Sequence, residues 1–327
     1  MSDSRPLASP PPVVMGPGTP TPPPAPAVPT APASLLPYGM LLSVMLLWAS
    51  NVIIGRLIAG VWSPFALSLW RWGLAFLILL PFAGPALWRH RATIRRHARL
   101  IVLLGILSVG LFNTLLYVAL NYTSAINVAL INSTTPIMIL LLSRLLLGTR
   151  MTPRVIVGVV LGLIGAAIIV TRGDLATLLG LRFNLGDMIQ TVAILIWALY
   201  SVLLQRHPVA VPPLVLQLAM TAAGLPVLML IFAVMPSGGA TAPRDLLDGA
   251  MLAYLAIGVS LASTLLWNTS ILKVGARVAG FFNYLTPPIV ALLSVLLLDE
   301  HLRPFHGVGF ALILAGILFA TLKRGAR

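Results

Sequence analysis

Apolar residues in this chain come in long unbroken runs, with little of the alternation that marks half-buried strands. Ten such stretches follow residue 37, near 38–59, 63–87, 100–122, 124–147, 154–171, 185–205, 210–235, 249–272, 276–298 and 304–322. Each is close to the ~20 residues that an α-helix needs to span a bilayer. The pattern predicts an all-α polytopic membrane protein with ten transmembrane helices, joined by short connections and packed as near neighbours. It also repeats. Asn132-Ser-Thr-Thr-Pro136 and Asn283-Tyr-Leu-Thr-Pro287 share N-x-x-T-P, and each lies in an apolar run ending in three leucines, Leu145–Leu147 and Leu296–Leu298. The 151-residue offset carries Pro153 onto Pro304, Gly158 onto Gly309 and Gly165 onto Gly316. Earlier in each copy the offset is 149, carrying Trp48-Ala49 onto Trp197-Ala198 and Pro64 onto Pro213. One unit is therefore duplicated, over 38–173 and 186–325. Five crossings per unit is an odd number, so the second copy runs through the membrane in the opposite sense. Two inverted-topology repeats of five helices are expected, with a substrate site near mid-membrane where they meet.

The charges give the repeats an orientation. The 327 residues are 59% hydrophobic and 9% charged, outside the range of soluble domains, with a formal net charge of +14. In a soluble protein that excess would suggest nucleic acid. Here the basic residues stand in loops between apolar runs, so no nucleic-acid partner is expected. With both termini cytoplasmic, 15 of the 21 Lys and Arg residues are inside, among them Arg89, Arg91, Arg95, Arg96 and Arg99 of a single loop. The opposite orientation breaks the positive-inside rule. Six of the seven acidic residues, Asp174, Asp187, Asp245, Asp248, Asp299 and Glu300, fall at the outer ends. A multi-pass protein of the inner (plasma) membrane is expected. Residues 1–37 hold 13 of the 27 prolines and are expected to form a disordered cytoplasmic tail. The run from Tyr38 is read as an uncleaved signal anchor.

Candidate chemistry starts at the repeated prolines. Pro136 and Pro287 fall near the middle of their predicted helices, and a proline there leaves the carbonyl four residues back without its N–H partner. Those residues are Asn132 and Asn283, so each copy offers a freed carbonyl and an amide side chain at mid-membrane depth. Two readings follow. Either both asparagines, with Ser133, Thr135 and Thr286, face a polar cavity around these helix breaks, or hydroxyl side chains rebond the carbonyls and the prolines only bend the helices. Other polar and aromatic residues share that depth. Asn51 and Tyr200 follow the paired Trp48 and Trp197; Asn113 and Tyr117 are four apart and share a helix face; Ser263, Trp267 and Asn268 lie on the eighth stretch. Together they suggest an amphipathic substrate pocket with aromatic walls, although each one singly also suits a hydrogen bond between helices. Trp62 and Trp88, near helix ends, read as interfacial anchors. Arg71, well inside the second stretch, must be paired or hydrated. It is either an anchor for a substrate carboxylate or a structural partner of freed carbonyls. The small residues Gly158, Gly162, Gly165, Ala311 and Ala315 read as close helix packing or as a dimer face, which leaves monomer and dimer both open.

What is missing narrows the field. Without cysteine there is no disulfide, no zinc–thiolate site and no thiol nucleophile. The five histidines fall at helix ends or in loops without zinc spacing, so neither an intramembrane enzyme nor a cofactor is expected. No carboxylate is expected near mid-membrane, which argues against proton exchange for cationic drugs, and Arg71 alone offers itself to an anionic substrate. A neutral or zwitterionic small molecule, carried downhill or with weak coupling, fits best. A membrane scaffold or channel subunit using the basic loop is the competing class.

The paired Trp-Ala segments, Trp267-Asn268, both N-x-x-T-P segments and the leucine-rich end with Asp299-Glu300 before Pro304 and Gly309 resemble the EamA-type branch of the drug/metabolite transporter (DMT) superfamily, over nearly everything after the tail. Thr149 stands where that pattern often has an acidic residue in the first half. The resemblance implies ten helices in two inverted five-helix repeats and export of small metabolites; the functional analogy is to the YddG-type amino-acid and aromatic-metabolite exporters.

Overall fold

The computed structural model describes residues 35–58, 61–119, 121–123, 125–235, 238–297 and 303–321. Most of the proline-rich tail, the Asp299-Glu300 pair and the C-terminal Lys323, Arg324 and Arg327 lie outside the described residues. Within them the chain is helical, without a β-strand. We label the main helices α1 (Leu36–Ile58), α2 (Pro64–Arg89), α3 (Ala98–Ala119), α4 (Ala125–Asn132), α5 (Thr135–Leu147), α6 (Pro153–Val170), α7 (Leu185–Arg206), α8 (Pro213–Val234), α9 (Leu246–Val274), α10 (Ala276–Phe282), α11 (Thr286–Leu297) and α12 (Pro304–Thr321). Among the described residues nine helical stretches are long and apolar enough to cross a membrane, and Leu36–Asn51 of α1 forms a shorter apolar helix.

Local chemistry sets the ends. Ser63 caps α2 and Thr152 caps α6, each followed by a proline in the first turn, where no N–H is needed. Asn184 and Asp187 form a capping box on α7, and Gly148, with φ at +65°, closes α5. Both N-x-x-T-P segments break their helices. In the first, α4 stops at Asn132 and α5 starts at Thr135; in the second, a 3₁₀ turn over Asn283–Leu285 separates α10 from α11. The prolines thus lie in the first turn of a new helix and not inside a continuous one. Neither carbonyl is left free. The Asn132 carbonyl accepts from the Thr135 hydroxyl at 2.6 Å, and the Asn283 carbonyl accepts from the Thr286 backbone N–H. In addition, α3 and α9 each carry a π-helical stretch, Ile106–Leu111 and Leu255–Ala262, related by the 149-residue offset.

Packing follows the duplication crosswise. α1 lies mainly against α9 and α11, its counterpart α7 lies against α3 and α5, and α2 packs on α8. α6 and α12 cross at their glycines. A Cβ built on Gly158 would sit 2.6 Å from the Gly316 carbonyl oxygen, and one on Gly165 would sit 2.6 Å from that of Gly309. Gly165 and Gly316 are sequence counterparts, as are Gly158 and Gly309, so the crossing is reciprocal. This uses the glycines of the small-residue stripe inside the molecule, while Ala311 stays exposed.

Cross-contacts identify the two ends of the bundle. At one end Arg277 donates to the Arg150 carbonyl and the Ala276 N–H to Gln205 Oε1. At the other, Trp62 forms an isolated bridge with Ala240, and the Trp70 indole donates to the Thr241 carbonyl. Trp62 is buried in this junction, while Trp88 is 69% exposed, so only Trp88 keeps the surface position expected of an anchor.

Candidate functional site: a central amphipathic cavity

The helix breaks open onto a cavity of about 290 Å³. Of the residues expected to face a substrate, Trp48, Asn51, Asn113, Asn132, Ser133, Thr135, Trp197, Asn283, Thr286 and Pro287 line it, and so does Arg71. Part of its wall is aromatic. Trp48 and Trp197, counterparts in the duplication, meet edge to face with centroids 5.4 Å apart, and Phe112 stacks on Trp197 at 4.7 Å. Such pairs contribute about 0.5–1.5 kcal/mol each beyond their buried area.

Tyr117, Tyr200, Ser263, Trp267, Asn268 and Pro136 stand behind that wall. Ser263 accepts from the Trp48 indole N–H at 3.0 Å, fixing the ring. Trp267 packs against both other tryptophans and donates to Ser201 at 3.3 Å. Tyr200 is fully buried; its hydroxyl donates to Asn268 Oδ1 at 2.5 Å, and Asn268 Nδ2 donates to Gln217 Oε1 at 3.3 Å. This chain ties α7, α9 and α8 together, which is why its polar atoms are spent before they reach the cavity. Pro136 is buried at the α5 start.

Asn132 is held from the second half of the chain. Gln190 on α7 donates to its Oδ1 at 2.6 Å, while Gln190 Oε1 is buried without a partner. One turn earlier Asp187 is 1% exposed. It accepts from Thr123 at 2.6 Å, from Asn127 at 3.0 and 3.1 Å, and from the Asn184 N–H at 2.9 Å. Asp187 thus lies at a helix end, as expected, but it is an interior carboxylate clamping the α3–α4 turn onto α7. It does not line the cavity.

Arg71 is 1% exposed. Its Nε and Nη2 donate to Ser260 Oγ at 3.2 and 3.1 Å, and its Nη1 donates to the Tyr117 hydroxyl. Its partners are hydroxyls on α9 and α3, not freed carbonyls. Ser260 belongs to the π-helical stretch of α9, whose wider turn re-aims side chains where an α-helix would not.

Further residues complete the wall. Ser108, Phe112 and Leu116 form an i, i+4 stripe on α3, beginning in its π-helical stretch, and two of the three are apolar. Trp72 adjoins Arg71. Arg172, with φ at +57°, and His306 line the cavity where α6 ends and α12 begins, so Arg71 is not the only basic residue there. Their position at helix ends was the available signal, and it reads more simply as a loop. Asp174, two residues on, is engaged elsewhere: the Thr177 hydroxyl, then the Ala176 N–H, hold its carboxyl below the usual range.

A bundle of membrane-length helices around an amphipathic cavity is the build of a membrane transporter. The sequence model of the EamA-like transporter family matches residues 35–171 and 184–322, and the chain belongs to that family, within the DMT superfamily. An uncharacterized transporter of Bacillus subtilis (strain 168) is 29% identical over 287 residues, 87% of this chain and 93% of that one. An uncharacterized inner membrane transporter of Escherichia coli (strain K12) is 26% identical, over 89% and 92%. A probable terminal-alkyne amino-acid exporter of Streptantibioticus cattleyicolor is 27% identical, over 84% and 90%. A solved crystal structure shares the fold, with a TM-score of 0.72 at 21% identity over 87% of this chain and 96% of that one.

Proposed function

We propose that this protein is a secondary transporter that exports small neutral or zwitterionic metabolites, amino acids and aromatic ones among them, by alternating access. On this reading ten crossings form two inverted five-helix repeats, 38–173 and 186–325, in the inner membrane, with both termini cytoplasmic. The observation that carries it is the meeting of Trp48 and Trp197 at 5.4 Å beside the cavity. Counterparts that touch each other belong on a two-fold axis, and such an axis in the membrane plane is where an inverted-repeat carrier holds its substrate. The reciprocal glycine crossing of α6 and α12 supports the same axis. Arg172 and His306 stand at the end of the bundle opposite the basic loop, so on this orientation the cavity reaches toward the outer side. The amino-acid exporter among the relatives supports the substrate class.

The test is a liposome screen. Purified protein is expected to accelerate efflux of at least one amino acid or related metabolite, and a broad panel without flux sinks the carrier reading. Asn132→Ala and Asn283→Ala are expected to slow that flux while leaving membrane insertion intact. If both variants transport normally, the cavity is not the substrate site.

A further inference from the structure

Arg71 is buried with its hydrogen bonds largely satisfied and its charge unanswered. Three of the five guanidinium N–H groups go to the hydroxyls of Ser260 and Tyr117. A hydroxyl satisfies an N–H but carries no countercharge. Among the described residues no carboxylate pairs with Arg71, and no Asp or Glu lines the cavity. Arg172 at the mouth adds a second cation, and the carboxyl nearest to it in sequence, Asp174, is bound to its own helix start. A desolvated guanidinium without an anion is costly in a membrane interior. An anion that enters the cavity gains the full attraction of this charge. The two remaining N–H groups, one on Nη1 and one on Nη2, are left to donate to a carboxylate.

We propose, on the basis of the carrier reading above, that the recognised group of the substrate is a carboxylate held by Arg71, with an aromatic or apolar body against Trp48 and Trp197. The cavity offers an ammonium group no countercharge. The amide oxygens of Asn132 and Asn283 can accept hydrogen bonds, but they are neutral. Recognition therefore runs through the acid and not the amine. This widens the substrate class beyond the zwitterions of that reading, to anionic deaminated or N-acylated acids.

The experiment uses the whole protein in nanodiscs. Isothermal titration is run with phenylalanine, 3-phenylpropanoate, N-acetylphenylalanine and 3-phenylpropanamide, with counterflow of the same compounds measured in liposomes. The three acids are expected to bind at least tenfold more tightly than the amide. Loss of the amino group should change affinity less than threefold. Arg71→Gln is expected to abolish the preference for acid over amide while the ligand-free protein melts no lower than wild type, because a buried charge has been removed. Arg71→Lys is expected to keep part of the preference.

Equal binding of acid and amide, no binding of any of the four, or an unchanged preference in Arg71→Gln overturns the proposal. So does an Arg71→Gln protein that melts well below wild type and loses acid and amide alike, since Arg71 would then be a strut. Displacement of the acids by equimolar chloride or phosphate also overturns it, in favour of a small inorganic anion site. The two readings fail separately. Acid-selective binding without counterflow removes the carrier and leaves the carboxylate site, whereas counterflow indifferent to the acid does the reverse.

Discussion

The crossing of α6 and α12 allows one substitution to be weighed at two places with opposite expected signs. Alanine at Gly158 puts a Cβ 2.6 Å from the Gly316 carbonyl oxygen and 2.8 Å from the Ala320 Cβ. Ordinary contact begins near 3.4 Å, so the helices must part by roughly 0.8 Å. The obstacle is backbone, and no rotamer change relieves it. Overpacking of this kind costs about 1–3 kcal/mol. Alanine also favours a helix interior over glycine by about 1 kcal/mol. The control is Gly73 in α2, where an added Cβ meets nothing within 4 Å. Gly73→Ala gains the helix preference alone. Comparing the two variants cancels that preference and leaves the overpacking, so Gly158→Ala is expected to be about 1–3 kcal/mol less stable than Gly73→Ala. The pair Gly158→Ala and Gly316→Ala adds a further check. Both methyl groups need the same gap, so the double variant is expected to cost less than the two singles together. The measurement is reversible denaturation in mild detergent, followed by tryptophan fluorescence. If Gly73→Ala and Gly158→Ala move the midpoint the same way by similar amounts, or the double variant is additive, the helices are not in backbone contact and the reasoning fails.

Three further outcomes are expected. Ser263→Ala leaves the Trp48 indole N–H without its acceptor and should cost about 1–3 kcal/mol in the same unfolding assay; a loss below 0.5 kcal/mol, on the order of a surface change, would mean the ring is held by packing alone. Gln190→Leu removes the 2.6 Å bond to Asn132 together with an unpartnered buried oxygen, so it should leave stability within about 1 kcal/mol of wild type but change flux, because the end of α4 is no longer tied to α7; unaltered flux would detach that bond from transport. The chain has no cysteine, so single cysteines report sidedness without background; Arg89→Cys should react with a membrane-impermeant maleimide only from the cytoplasmic side and Arg244→Cys only from the other, and the reverse pattern would invert the proposed orientation.

The helix plan and the wall of the cavity were legible in the chain to different depths. Runs of apolar residues at membrane length mark the helices, because the bilayer sets a length that composition cannot disguise. Polar side chains inside those runs mark Asn51, Asn113, Asn132 and Asn283, all of which line the cavity. The same rule points to Tyr200, Ser263 and Asn268, which answer one another or a tryptophan instead. Sequence shows that a buried polar atom needs a partner, but not whether that partner is a neighbouring helix or a ligand. The π-helical stretches were not legible, since the single Ser and Gly in each of Ile106–Leu111 and Leu255–Ala262 mark no particular helix type. Ser260, which meets Arg71, and Ser108, in the wall, both lie in these stretches. For Arg172 the chain shows a charge just past the end of an apolar run, but not the fold that brings it to the cavity.

The crosswise packing of the first helices bears on how the molecule is made. α1 finds its main neighbours on α9 and α11, which leave the ribosome more than 200 residues later. Until then it can be in the bilayer but not docked. α7 has the opposite history, since α3 and α5 are already there when it arrives. Docking of α7 onto the earlier helices closes Gln190 on Asn132 and Asp187 on Thr123. α1 settles only once the last third of the chain is inserted, bringing Trp48 onto Trp197 and Trp267. The aromatic wall of the cavity is therefore among the last parts to form. A nascent chain stalled before α9 would lack that wall, however well the apolar helices before α9 were inserted.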